Sequence, residues 1–312
     1  YGDNPRIRAA SSWRLDYDLG LFCNTRKRRL INRPFIIRCG GVYIDKSNTI
    51  GDTCDMNNEI FHSMDQAAGI IFNSQYNHDA TLSLKGSIEA PTRVILGAVP
   101  LDLFDPEGPN RRKELGIGEE AVVFVASAKW RRHKRLKETL ELFERFQARH
   151  SGQCRLIVLG RVGEAIVGRD GVEFVGHVSN NELGSWYRTG DIFLQLAWVE
   201  PGGNTQLEAM ACGLPTICMN NGGISESVVK CNGGVVCKAD EPTAFKMVDY
   251  YNPPAPNYER ILDSIEEVLD NKKEFPERLD REDLGIERAA QEYEEFFINI
   301  AEQVKNTSQN FG

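Results

Sequence analysis

Residues 191–221, DIFLQLAWVEPGGNTQLEAMACGLPTICMNN, carry the pattern on which the reading of the fold turns. An apolar run, DIFLQL, ends in a loop rich in proline and glycine; a helix-forming stretch and a second apolar run, PTICMNN, follow. Short continuous apolar runs of this kind mark strands buried on both faces. Pro201, Gly202 and Gly203 allow a tight, open backbone, and Thr205 is a good helix N-cap. Glu200 and Glu208 flank the loop with seven residues between them. A helix N-terminus offers unpaired N–H groups and positive dipole, which favour a phosphate or diphosphate. Glu208, a turn into the helix, is placed to accept hydrogen bonds from hydroxyls beside such a group. Glu200 faces whatever hangs on the far side, so ribose, diphosphate and sugar fit the spacing in that order. Thr205 and Glu208 also form a T-x-x-E capping box, which satisfies orphan amides with no ligand present. The two readings are compatible, because a carboxylate has two oxygens.

Outward from this stretch, strands and helices alternate from about residue 119. AVVFVAS, CRLIVLG, VEFVGHV, DIFLQL, PTICMNN and GGVVC read as strands. Between them KRLKETLELFERFQARH places Leu136, Leu140, Phe143 and Phe146 at helical spacing, and NNELGSWYRTG, NTQLEAMACG and ISESVVK read as shorter helices. Successive strand–helix units imply a parallel, doubly wound sheet with right-handed crossovers. Ligands of such sheets bind beyond the carboxyl ends of the strands, where the Glu200–Glu208 loop falls. Upstream, RPFIIRCGGVYID, AAGIIFNS and TRVILGAV read as three strands of a second, shorter α/β region, with helices over NNEIFHSMDQA and SQYNHDATLSLKG. VPLDLFDPEGPN has the Pro, Gly and Asp content of an interdomain linker. The tail is helical over NPPAPNYERILDSIEEVLDNKKEF and GIERAAQEYEEFFINIAEQV, and the last residues, KNTSQNFG, are expected to fray. The chain shows no internal repeat.

A chain of 312 residues is expected to hold two domains or one large one. Hydrophobic residues at 41% and charged residues at 26% are an ordinary globular balance. A net charge of −8 argues against a surface that coats nucleic acid. No apolar run reaches the roughly 18 residues that span a bilayer. The opening YGDNPRIRAASSWRLDYD lacks the apolar core of a signal peptide and an initiator Met, so the expectation is a processed or truncated chain. The eight cysteines (Cys23, Cys39, Cys54, Cys154, Cys212, Cys218, Cys231 and Cys237) include no C-x-x-C pair, which speaks against a zinc ribbon or a dithiol redox site. Reduced, mostly buried thiols in a cytoplasm-like compartment are expected.

The whole run from Glu200 to Pro215 resembles the donor-binding signature of family-4 retaining glycosyltransferases (glycosyl transferases group 1), which have the GT-B fold. PFIIRCGGVYID, AAGIIFNSQY, VILGAVPLDLFDP and VFVASAKWRRHKRLKETLELF resemble further segments of the family, so the likeness covers most of the chain. It implies an α/β fold of two Rossmann-like domains whose parallel sheets face across a cleft. Residues 1–104 would be the acceptor-side domain, 105–118 the linker and 119–285 the nucleotide-sugar donor domain, with a final helix at about 286–304 packing back on the first. The family's opening strand and glycine-rich turn are not visible, so the first domain is expected to be reduced or truncated.

The resemblance also implies roles. Lys134 matches the family's phosphate lysine; Arg131, with Lys129 as the alternative, stands for its companion arginine, in a loop that also carries Arg132 and Arg135. Glu200 would hold the donor sugar's hydroxyls and Glu208 the ribose, with Gly202, Gly203, Asn204 and Thr205 around the diphosphate. Gly160 and Arg161 fall at a nucleotide-contacting turn, and the Val175–Val178 segment, with His177 and Val178, where the base is held. NNGGISES resembles the family's GG-x-x-E turn, with Gly222, Gly223 and Glu226, although two glycines in a tight strand-to-helix turn are enough to explain it. In the first domain Arg38, Gly40, Gly41 and Tyr43, with Asp45, lie at a strand end expected to face the acceptor, and His62 and His78 are further acceptor-side candidates. Arg26 to Arg33, RKRRLINR, suit a solvated helix face or an anionic acceptor or membrane phosphates.

The implied activity is transfer of a sugar from a nucleoside diphosphate-sugar (a UDP- or GDP-sugar) to an acceptor hydroxyl of a glycan or lipid-linked acceptor. No cofactor or metal is required in that reading, since cationic side chains replace a divalent ion, and no cluster of Asp or His suggests a metal. The enzyme would sit in the cytoplasm, with peripheral membrane contact open. The rival readings are an epimerase or hydrolase of nucleotide-sugars on the same scaffold, and a non-catalytic nucleotide-sugar-binding subunit.

Overall fold

The structure is a computed structural model that describes residues 19–24, 34–45, 52–163, 168–240, 245, 247–272 and 274–309; the RKRRLINR segment lies outside them. The chain divides into two compact units, the first made of residues up to Leu96, Phe245–Asp249 and Ala289 onwards, the second of Gly97–Ala244 and Tyr250–Arg288. The division falls between Leu96 and Gly97, ahead of the segment read as the linker.

The first unit carries a four-stranded parallel sheet, β1 (Gly20–Cys23), β2 (Phe35–Cys39), β3 (Gly69–Phe72) and β4 (Thr92–Val94), which neighbour one another in chain order. β1, over GLFC, was not foreseen, being a short run between polar segments. Side chains alternate across the sheet, as the twofold period of a strand requires. Ile36 and Ile71 pack with Ile95, Phe296 and Ile300 on one face, Cys39, Ile70 and Phe72 with Ile60 and Met64 on the other. Phe296 and Ile300 belong to helix α9 (Ile286–Gln309), while Ile60 and Met64 belong to α1 (Asp52–Asp65). A Cβ at Gly69 would stand 3.0 Å from Phe296 and Ile300, so the absent side chain lets α9 lie directly on the sheet. α9 runs on to Gln309, into the stretch expected to fray. Helix α2 (Gln75–Lys85) is capped by the Ser74 hydroxyl, which accepts from the Asn77 amide at 3.0 Å. The segment 245–249, read as part of the donor domain, joins this unit instead: the Val248 amide donates to the Ile44 carbonyl at 2.7 Å and the Phe245 ring lies 5.6 Å from that of Tyr76.

The second unit carries a six-stranded parallel sheet in the order β10-β9-β8-β5-β6-β7. Its strands are β5 (Val122–Ser127), β6 (Cys154–Leu159), β7 (Val172–Gly176), β8 (Ile192–Gln195), β9 (Thr216–Met219) and β10 (Gly234–Cys237). Every run read as a strand from residue 119 onwards is one. Helices α3 (Leu136–Arg149) and α7 (Tyr258–Asp270) cover one face, where Leu136, Leu140, Phe143 and Phe146 meet Phe124, Ala126 and Ile265. Phe124 meets Phe143 and Phe146 edge-on, centroids 6.0 and 4.9 Å away, a geometry that adds about 0.5–1.5 kcal/mol per pair to the burial. Helices α4 (Asn180–Tyr187), α5 (Thr205–Ala211) and α6 (Ile224–Lys230) cover the other, where Tyr187, Leu207 and Ile224 meet Val123 and Val125. With both faces buried, β5 has to be apolar from Val122 to Ala126, which is why its sequence does not alternate. The short helix α8 (Phe275–Arg278) follows α7.

The strand order reverses around β5: β6 and β7 extend the sheet to one side, β8 to β10 to the other. A crevice opens at the carboxyl edge where connections diverge in this way. The segments that follow β5 and β8 line it.

Candidate functional site

After β5 the chain passes Lys129 and Arg131, both exposed, into a one-turn 3₁₀ helix, Arg132–Lys134. The basic residues then take separate tasks. Arg132 forks onto the Glu138 carboxylate of α3 at 2.7 and 2.9 Å, a tie between the 3₁₀ turn and the helix after it that leaves it little to offer a ligand. Arg135 is 2% exposed and donates to the backbone carbonyls of Leu196 (3.3 Å) and Pro254 (2.8 Å). The Lys134 ammonium forms an ion pair with the Glu200 carboxylate, and each side chain keeps 17% of its surface exposed. The His133 imidazole stands 4.0 Å from the same carboxylate and lies against the Tyr250 ring, tilted by 31° with centroids 4.4 Å apart.

Glu200 reaches this position through an unusual backbone. Val199 has φ 51°, a left-handed conformation that β-branched residues avoid, at a cost of order 1–3 kcal/mol. The surroundings hold it there. Trp198 donates its amide to the His133 carbonyl at 2.8 Å, and the Gly223 amide donates to the Glu200 carbonyl at 2.9 Å. A Cβ on Gly222 would lie 2.5 Å from that carbonyl oxygen, so the Gly222–Gly223 turn is built for close approach to the Glu200 backbone. Glu226 follows in the first turn of α6.

The capping box expected at α5 does not form. Asn204, with φ −98° and ψ −29°, is the N-cap, and no side chain caps the helix. Thr205 is already helical, and its hydroxyl accepts from the Gln195 amide group at 3.0 Å. Glu208 is thereby released from capping. Its partner among the described residues is the Tyr187 hydroxyl, which donates to Oε2 at 2.8 Å. Burial pushes the Glu208 carboxyl above its ordinary value, with the Tyr187 hydrogen bond opposing the shift. Burial and the neighbouring Glu208 charge push the Tyr187 hydroxyl well above its own, so it remains a donor. Gly202 and Gly203 are half-buried and Asn204 is exposed, between the two glutamates. The Gly203 carbonyl accepts from the Gln206 side chain at 2.6 Å.

Gly160 ends β6 with φ 101°, its amide donating to the Gly176 carbonyl at 2.6 Å. A Cβ there would fall 2.1 Å from the Ala128 carbonyl oxygen, so packing alone demands this glycine. Arg161 and His177 are exposed just past β6 and β7, and Val178 packs on the core below them. The structure thus joins Lys134 to Glu200 between the segments that follow β5 and β8, with Arg131 earlier on the first of these and Glu208 on the helix after the second.

In the first unit the carboxyl end of β2 carries Arg38, Gly40, Gly41 and Tyr43. Arg38 donates from Nε to the Tyr293 hydroxyl on α9 at 2.9 Å. The Gly40 amide donates to Asn24 Oδ1 at 2.7 Å and its carbonyl accepts from Asn73 at 3.2 Å. Gly41 has φ 148°. Asn57 grips the Tyr43 backbone at both ends, 2.8 Å each way. Asp45 is buried and bridged by backbone to Val248. His62 is exposed beside Gln66 on α1; His78 pairs with Asp79 at 2.8 Å and meets the Phe72 ring edge-on. Cys23, Cys39, Cys154, Cys212, Cys218, Cys231 and Cys237 are free thiols, all buried except Cys23, and burial pushes Cys212, at the C-terminal end of α5, up to about 12. Among the described residues no group of three acidic, His or Cys side chains suits a metal, and no helix is long and apolar enough to cross a membrane.

Sequence reasoning missed Tyr187, His133, Tyr250, Gln195 and the clamping of Arg135. Tyr187 sits in a short helix with no spacing that points to Glu208, and their separation of 21 positions closes only in the fold.

The two parallel-sheet units form the GT-B fold of glycosyltransferases. A sucrose-phosphate synthase from Thermosynechococcus elongatus superposes with a TM-score of 0.70 at 18% identity, covering 91% of this chain and 74% of that one. HepE of Anabaena in complex with UDP superposes with a TM-score of 0.58 at 16% identity, over 89% and 72%. Residues 108–247 match the family model for glycosyl transferases group 1. A D-inositol 3-phosphate glycosyltransferase of Catenulispora acidiphila is 26% identical over 198 residues, 57% of this chain and 46% of the relative. An N-acetyl-alpha-D-glucosaminyl L-malate synthase of Bacillus anthracis is 26% identical over 148 residues, 45% and 38%. The chain spans about half the length, or less, of these curated relatives.

Proposed function

We propose that the second unit is the donor-binding half of a retaining glycosyltransferase, which moves a sugar from a nucleoside diphosphate-sugar to an acceptor hydroxyl. The observation that carries this reading is the Lys134–Glu200 ion pair, made between the segments after β5 and β8 where the strand order reverses. Glu208 lies a turn beyond, released from capping. An anionic donor entering the crevice takes Lys134 from Glu200. The ammonium, with Arg131 beside it, then neutralises the diphosphate, while the freed Glu200 carboxylate accepts hydrogen bonds from the sugar's hydroxyls. The amides around Gly203, Asn204 and Thr205 line the diphosphate. Glu208, one oxygen held by Tyr187, offers the other to the ribose. Gly160, Arg161, His177 and Val178 stand where the base is held, and Arg38, Gly40, Gly41 and Tyr43 serve the acceptor.

In the reaction the bond from the anomeric carbon to the diphosphate oxygen breaks as the acceptor oxygen bonds to the same face of that carbon. The acceptor's proton passes to the departing phosphate, so no separate protein base is needed. Fixed positive charge where the leaving anion forms is usually the largest single contribution to such a step. Cationic side chains take the place of a divalent ion.

A panel of UDP-, GDP- and ADP-sugars tests the reading. Turnover that requires an added acceptor is expected for one of them, and Glu208→Ala is expected to raise its KM at least tenfold, the loss of a hydrogen bond to a charged group. Sugar release without acceptor would indicate a hydrolase, and a thermal shift without turnover a binding subunit. Unchanged donor binding and turnover in Glu208→Ala would remove the assignment.

A further inference from the structure

Two non-glycine residues with left-handed backbone bracket the ion pair, each directly beside one partner. Arg135, φ 57°, follows Lys134, and Val199, φ 51°, precedes Glu200. Left-handed L-residues persist only where the surroundings over-determine them. Here the surroundings are the two loops themselves. Arg135, 2% exposed, spans from Leu196, four residues before Glu200, to Pro254 on a third segment, donating to both carbonyls. The Trp198 amide returns to the His133 carbonyl at 2.8 Å, next to Lys134. Removing an arginine from water is expensive and demands return. A glycine would take the same backbone angle without strain, so the helix start alone does not call for this side chain.

We infer that Arg135 is a positioning residue: its buried guanidinium locks the Lys134 turn to the Leu196–Glu200 segment and so sets the distance between the ammonium and the carboxylate. It touches no donor itself. The planar fork suits the task, because one rigid group reaches two carbonyls; a lysine at the same place keeps the charge and bulk but donates from a single flexible point.

The inference rests on the donor-site reading, and binding measurements separate the two. The probes are UDP, GDP and ADP, each compared with its nucleoside, by titration calorimetry on the whole chain. For Arg135→Lys, diphosphate affinity is expected to fall about tenfold, the scale of one displaced charge-assisted contact, with nucleoside affinity unchanged. A general loss of structure would lower both. Because Arg135 acts through Lys134, the double variant Lys134→Ala/Arg135→Lys is expected to bind no more weakly than Lys134→Ala alone. Arg135→Gly, which relieves the backbone angle while removing the fork, is expected to show the same selective loss and guards against a fold specific to one substitution. Wild-type affinity in either single variant, or losses that multiply in the double variant, would overturn the role of Arg135 while leaving the donor site standing. A wild type that binds none of the diphosphates overturns the donor-site reading, and this inference with it.

Discussion

In the six-stranded sheet the strands leave β5 in both directions, whereas in the four-stranded sheet they succeed one another along a single direction. The carboxyl ends differ accordingly. At the reversal, the loops after β5 and β8 diverge, and two charged groups meet there, Lys134 and Glu200, with the His133 imidazole 4.0 Å from the carboxylate. At the ends of β2 and β3, apart from Arg38, the side chains that hold the backbone are neutral amides. Asn77, 1% exposed, donates to the Cys39 carbonyl at 2.9 Å and to Asn73 Oδ1 at 2.7 Å, while Asn73 and Asn24 hold Gly40. Those amides satisfy the backbone where the strands stop, as buried polar groups must be satisfied. One strand end joins two side chains of opposite charge from separate loops; at the other, side-chain amides tie the backbone together.

The comparison can be broken most directly at Lys134. Lys134→Ala is expected to lower kcat by about 10²–10³-fold, the scale seen on removing one preorganised group that stabilises developing charge. Steady-state kinetics with the donor found by the sugar panel reads this. A change smaller than tenfold would mean that the leaving group is stabilised elsewhere.

Asn77→Ala probes the other side. It strips the donors from the Cys39 carbonyl and Asn73 in a buried site and is expected to cost about 2 kcal/mol of stability by urea unfolding. Diphosphate affinity should stay at the wild-type value. Its loss alongside stability would show that the amide network also serves ligand binding, and the contrast between the two strand ends would fail.

The smallest effect sharpens the contrast through pH. Burial holds the Glu208 carboxyl above its ordinary 4.5. The stability it contributes is therefore complete below pH 4.5 and is lost as pH rises through its folded-state value. Glu208→Gln does not ionise, so its stability relative to wild type is expected to rise across that same interval, followed by urea midpoints between pH 4 and 7. A difference that stays flat would mean that Glu208 is not desolvated in the folded protein.

Much of this site was legible in the linear pattern. The strand runs and the glycine-rich loop flanked by Glu200 and Glu208 follow from periodicity and spacing, because they are local properties of the chain; Lys134 stood out from its basic run only through the family resemblance. The capping box was legible too, and wrong in outcome: the helix starts around Asn204, and Thr205 turns to Gln195. A T-x-x-E pattern states which groups can pair, and the neighbouring strand decides which do. The basic run from Lys129 to Arg135 looked uniform, yet Arg132 is spent on Glu138, Arg135 on two carbonyls, and Lys134 on Glu200. Segment 245–249 gave no sign of belonging with the first unit, since its pairing partner, Ile44, lies some two hundred residues away.

The sequence by itself determined the two parallel α/β units, the order of their elements and the residue types gathered at one loop. Those depend on short-range period, turn chemistry and burial of apolar runs. Only the tertiary structure decided that Lys134 meets Glu200, that Tyr187 holds one oxygen of Glu208, and that Arg135 turns inward. These contacts join loops and helices that follow different strands. Their partners are selected by which strands become neighbours and by which polar groups are left in need of a bond, and neither is written in the spacing of any single segment.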